Sequence, residues 1–104
     1  MTKKEPDITI SVLSDGKLKY TPEEYHTKKG KEIVWGSRGL PFAIQFLDFQ
    51  LLKEGGGHHH NNGDDLKRTV IDKAEKGKYK YACAVCERNR VILDANCPAI
   101  IIDD

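Results

Sequence analysis

No stretch of this 104-residue chain is apolar for long enough to cross a membrane as a helix. The segment Met1-Thr2-Lys3-Lys4-Glu5-Pro6-Asp7 lacks the apolar core of a signal peptide, so a soluble protein without membrane insertion is expected. Strong charge of one sign is missing too. Seventeen Lys plus Arg stand against sixteen Asp plus Glu, a formal net charge of +1, which supplies no field to steer the molecule onto nucleic acid or anionic lipid. The patterns of common catalytic machinery are absent: there is no Ser-His-Asp order, no phosphate-cradling glycine loop and no His-Glu-x-x-His. Glu23-Glu24 and Asp64-Asp65 are adjacent carboxylates that read as solvated turn charges rather than an acid/base pair. Cysteine is scarce. Cys83, Cys86 and Cys97 are an odd number, so at least one thiol stays outside any internal disulfide.

What is present is one small domain over residues 1–104. Hydrophobic residues make up 38% of the chain and charged residues 32%, a polar balance, yet the apolar residues fall in organised runs that can bury a core. Ile8-Thr9-Ile10-Ser11-Val12 alternates at period two, as a strand with one buried face requires. Asp15-Gly16 signals a turn, Leu18 and Tyr20 follow, Thr21-Pro22-Glu23-Glu24 breaks the pattern as a crossover, and Lys29-Gly30 turns the chain into Glu32-Ile33-Val34-Trp35. Beyond the loop chemistry of residues 36–41, Phe42, Ile44 and Phe46 recur at every second position. Leu47 to Leu52 fits a short helix or an irregular packed segment equally well. Glu54 to Asp65, rich in Gly, His and Asn, reads as a long, mobile surface loop. Thr69-Val70-Ile71 reads as a strand, Tyr79, Tyr81, Cys83 and Val85 share one parity, and Ala99-Ile100-Ile101-Ile102 suits a closing strand. Strands joined by turns, with no convincing amphipathic helix, predict an all-β sandwich with Phe42, Ile44, Phe46, Tyr79, Tyr81 and Val85 in its core.

Two segments carry a family resemblance. Thr21-Pro22 followed by Lys29-Gly30-Lys31-Glu32-Ile33-Val34-Trp35 resembles the opening of the cupredoxins, and Gly77-Lys78-Tyr79-Lys80-Tyr81-Ala82-Cys83 resembles their Gly-x-Tyr-x-aromatic-x-Cys segment. Ile100-Ile101-Ile102 fits the closing strand, so the resemblance runs from about Ile8 to Asp103. It implies a Greek-key β-sandwich and a blue-copper site built from two His, one Cys and an axial Met. Cys83 stands at the cysteine position. Phe42 stands where the first His belongs, Cys86 where the second belongs, and Met1 is the sole methionine, so the ligand set is incomplete. The resemblance therefore implies a non-enzymatic binding or accessory domain that has lost blue copper and needs no cofactor.

A metal reading stays open beside it. Cys83, Cys86 and Cys97, closed by one of His58, His59 or His60, contain a Cys-x-x-Cys spacing that suits Zn or Cu(I) and would make a metal-handling or electron-transfer site for copper or zinc. In an extended strand Cys83 and Cys86 have opposite parity, so this site needs a bend or bulge near Val85. The structural alternative buries Cys83 as a small apolar residue and lets Cys86 and Cys97 close the loop Glu87 to Asn96 as a disulfide. Three consecutive histidines in a Gly/Asn loop can also capture a divalent ion loosely without the thiols. No partner is specified by these residues, and a monomer is expected.

Overall fold

The computed structural model describes residues 5–46, 51–94 and 98–103. In chain order the strands are β1 (Ile8–Val12), β2 (Leu18–Thr21), β3 (Glu24–Lys28), β4 (Glu32–Gly36), β5 (Phe42–Phe46), β6 (His58–Asn61), β7 (Leu66–Thr69), β8 (Gly77–Glu87), β9 (Arg90–Leu93) and β10 (Ala99–Asp103). No helix occurs among the described residues. Gly30, in the left-handed region at φ 79°, makes the turn expected before β4.

The strands form a first sheet in the order β2-β1-β4-β7 and a second in the order β3-β10-β8-β5-β6, with β9 hydrogen-bonded to β8. Both sheets are mixed, because β1 runs parallel to β4 and β3 runs parallel to β10. Alternation sends one side of each strand into the space between them. Ile8, Ile10, Ile33 and Trp35 come from the first sheet, and Phe42, Ile44, Phe46, Tyr81, Cys83, Val85, Ile100 and Ile102 from the second. The Trp35 indole N–H donates to the Tyr81 hydroxyl at 3.2 Å, and Trp35, Phe46 and Tyr20 pack their rings around Tyr81. Each such large apolar side chain contributes roughly 1.5–3 kcal/mol on burial. Of the six expected core residues five are buried, and Tyr79 is partly buried against the cluster.

Four local expectations change. The crossover after Pro22 contains β3, whose half-buried Tyr25 and Thr27 alternate with exposed Glu24, His26 and Lys28; a single aromatic residue leaves too little apolar pattern to read. The strand expected at Thr69-Val70-Ile71 lies earlier, at Leu66–Thr69, because pairing with β4 sets Leu66 opposite Trp35 and Thr69 opposite Glu32. The loop expected between Cys86 and Cys97 contains β9, folded back on β8 as a hairpin. Finally, the Gly/His/Asn stretch at 54–65 is not all loop, since His58–Asn61 is the edge strand β6 on β5. The physical reason is His59, a polar residue that serves as a buried one. Of the segment 47–52, residues 47–50 lie outside the described residues, and Leu51 and Leu52 are buried.

Candidate functional site

Cys83 sits mid-strand in β8, directly opposite Ile44 of β5, with Phe42 opposite Val85. All four point into the sandwich, and Cys83 is 3% exposed. Burial is the largest influence on its thiol, whose pKa is pushed up to about 12; the neighbouring Tyr20 hydroxyl opposes that shift and the Asp94 charge reinforces it. The Tyr20 hydroxyl is raised in turn, first by burial and then by the neighbouring Cys83 and Asp94. A buried thiol held protonated is a poor nucleophile at neutral pH, since attack needs the thiolate.

Cys86 lies on the other side of the same strand. β8 continues without interruption to Glu87, with Cys86 opposite Val91 of β9 and exposed to solvent. The bend near Val85 that would bring Cys83 and Cys86 onto one ion does not form, so these two members of the thiolate site stand on opposite faces of the sheet. Cys97 lies outside the described residues.

The three histidines also divide between faces. His59 is opposite Ile44 and points inward, 3% exposed. Its Nε2 contacts the Gly56 carbonyl at 3.1 Å and its Nδ1 receives the Arg68 Nε–H at 2.9 Å. Arg68 can only donate, so Nδ1 is the acceptor and Nε2 carries the proton. Both ring nitrogens are engaged and the ring is held neutral: burial moves its pKa below the usual 6.5, with the Gly56 carbonyl opposing. Ile44 separates His59 from Cys83, placing the two backbones two strand spacings, roughly 10 Å, apart. His59 is thus a structural link from the second sheet to β7 of the first. His58 and His60 point outward, their ring centres 5.7 Å apart. Among the described residues no group of three or more His, Cys, Asp or Glu side chains is placed to hold a metal ion.

No protein-family model matches the sequence, and no curated protein matches it. Among solved structures the chain is similar to one described as a novel purple cupredoxin from Nitrosopumilus maritimus, at 18% identity and a TM-score of 0.54. That match covers 93% of this chain and 100% of the other. The fold is cupredoxin-like. At this identity the likeness concerns the fold, and the ligand positions must be judged on their own chemistry. Type 1 copper takes two imidazoles and a thiolate. At the positions that the sequence resemblance assigns to the ligands, this chain offers a buried phenyl ring at Phe42 and an outward thiol at Cys86 beside Cys83, and neither Phe42 nor Cys86 supplies an imidazole. These residues do not fit that group.

The outer face of the second sheet has a different character. Opposite Ala84 stands Leu93, 76% exposed, and opposite Cys86 stands Val91, 61% exposed. Ala43, the β5 neighbour of Ala84, and Ala82 complete a low platform around them. This face is not legible in the sequence, because Val91-Ile92-Leu93 lies within the segment expected to be a loop. The signal was Ile92 itself, buried between two exposed apolar neighbours as period two requires.

Proposed function

We propose that the protein is a non-enzymatic, cupredoxin-like binding module that has lost the blue-copper site and engages a protein partner through the outer face of β5, β8 and β9. The observation that carries this reading is the pairing of Val91 and Leu93 with small side chains across the strand: two large apolar groups stand in water beside Cys86 and Ala84. Monomeric proteins rarely expose contiguous apolar surface without a use for it. Charge around the platform favours one kind of partner. Arg88 is exposed at the hairpin tip and Lys80 at the other end of β8, while Glu87 is ion-paired with Arg90 at 2.7 Å. An apolar segment flanked by carboxylates matches that arrangement.

A small probe of the same chemistry, 8-anilinonaphthalene-1-sulfonate, tests it. Amide NMR shifts on titration are expected to concentrate at 82–93 and at Ala43, and to disappear in Leu93→Lys. Shifts centred elsewhere, or unchanged in Leu93→Lys, would remove the proposed surface.

A further inference from the structure

The outward histidines form an arrangement that the binding surface does not use. His58 and His60 are alternate residues of the edge strand β6, opposite Gln45 and Ala43 of β5. Alternate residues in a strand have backbones roughly 6.6 Å apart, and the two rings lean together to a centre separation of 5.7 Å. An ion bonded at 2.0–2.1 Å to one nitrogen of each ring lies roughly 3.2 Å from each ring centre. A tetrahedral pair therefore has its centres roughly 5 Å apart. A small side-chain rotation closes the difference, and both residues are exposed and able to make it.

The neighbouring amide decides which nitrogen is available. Gln45 Nε2 donates to the Phe46 carbonyl at 3.3 Å, which turns Gln45 Oε1 toward His58, and that oxygen lies 3.2 Å from His58 Nδ1. A carboxamide oxygen only accepts, so Nδ1 carries the proton and Nε2 keeps its lone pair. An outer acceptor that fixes the tautomer and orients the ring is the usual support of a metal-binding imidazole.

We infer that His58 and His60, with Gln45 orienting the first, form a two-imidazole surface site for a divalent transition-metal ion, the remaining positions filled by water. Imidazole donors suit Cu(II), Ni(II) and Zn(II), and among these Cu(II) binds tightest. The site is separate from Cys83, which lies on the opposite face, and from Cys86, which hydrogen-bonds through its backbone to Pro41 beyond the end of β5. It shares the outer face with the proposed docking platform and adjoins it at Ala43, opposite His60, but neither histidine belongs to that platform.

Three measurements on the intact chain test it. Calorimetric titration with Ni(II) is expected to show one equivalent bound, with affinity reduced at least roughly tenfold in His58→Ala and in His60→Ala, and less severely in Gln45→Ala. His26→Ala and Cys86→Ala are expected to bind as the unaltered chain does. Nitrogen-15 spectra of the metal-free rings should show His58 protonated at Nδ1, and this preference should weaken in Gln45→Ala, which a merely structural glutamine would not cause. Trace Cu(II) should broaden resonances at 43–45 and 58–60 first. Unchanged affinity in either histidine variant, or broadening centred on Cys83 or Cys86, would overturn the assignment. The side chains are exposed, so all variants should melt within a degree or two of the parent; a variant that does not is replaced by His→Gln at the same position.

Discussion

Strand β8 changes character along its length. In its first half the outward residues are Lys78 and Lys80, and Lys78 is ion-paired with Glu24 of β3; His26 and Asp103 pair beside them at 3.1 Å. In its second half the outward residues are Ala82, Ala84 and Cys86, overlooked by Val91 and Leu93. The inward side changes less, for Tyr81, Cys83 and Val85 are all buried and Tyr79 is partly buried against the same cluster. One strand thus presents an apolar core side and an outer side that is finished with charge at one end and left apolar at the other. The core side packs the sandwich, and the apolar outer half is the surface that the proposed partner would cover.

Substitutions on the two sides should separate sharply. Tyr81→Ala removes the ring packed on Trp35, Phe46 and Tyr20 and the acceptor of the Trp35 N–H. It is expected to cost about 3–5 kcal/mol in denaturant unfolding. A loss under about 1 kcal/mol would mean that this core is loosely packed.

Much of this inner side was legible from alternation alone, because Phe42, Ile44 and Phe46 and the run from Tyr79 to Val85 carry strong period-two signals. The position of Cys83 in the core followed from the same parity, and so did the separation of Cys83 from Cys86. β6 was not legible. His58-His59-His60 has no apolar contrast, and the partners that let His59 be buried, Arg68 and the Gly56 carbonyl, are set by tertiary pairing. β9 escaped for the converse reason: Val91 and Leu93 are apolar but exposed, so hydrophobicity and burial disagree there.

The next effects probe the interior polar groups. Cys83→Ser places a hydroxyl where the thiol is buried and is expected to destabilise by about 1–3 kcal/mol. The raised thiol also has a signature in pH. The folded chain keeps its Cys83 proton where the unfolded chain has lost it, so this contribution is complete below pH 9 and is lost as pH rises toward 12. Tyr20 and Tyr81 act in the same direction at higher pH. The melting temperature should therefore fall above pH 9, and less steeply in Cys83→Ala; equal slopes would contradict a thiol held protonated by burial.

His59 works in the opposite sense. The folded chain resists protonating it, so its contribution is present above pH 6.5 and declines as pH falls below that value. His59→Ala should cost about 1–2 kcal/mol at neutral pH, by stripping the partners of Arg68 Nε and the Gly56 carbonyl. It should also flatten the acid side of the stability curve. The smallest effect belongs to the outer platform: Leu93→Lys should change stability by less than about 0.5 kcal/mol while abolishing probe binding. A large loss there would make Leu93 part of the core rather than of a contact surface.

Under the proposed function, the buried position of Cys83 holds no blue copper and the outer side of the same sheet carries the binding surface. Stoichiometric Cu(II) added to reduced protein, followed by visible absorption, tests it most directly. No intense copper–thiolate band and no change on Cys83→Ala are expected, with any bound ion revealed instead by broadening at His58 and His60. A strong visible band that disappears in Cys83→Ala would contradict it.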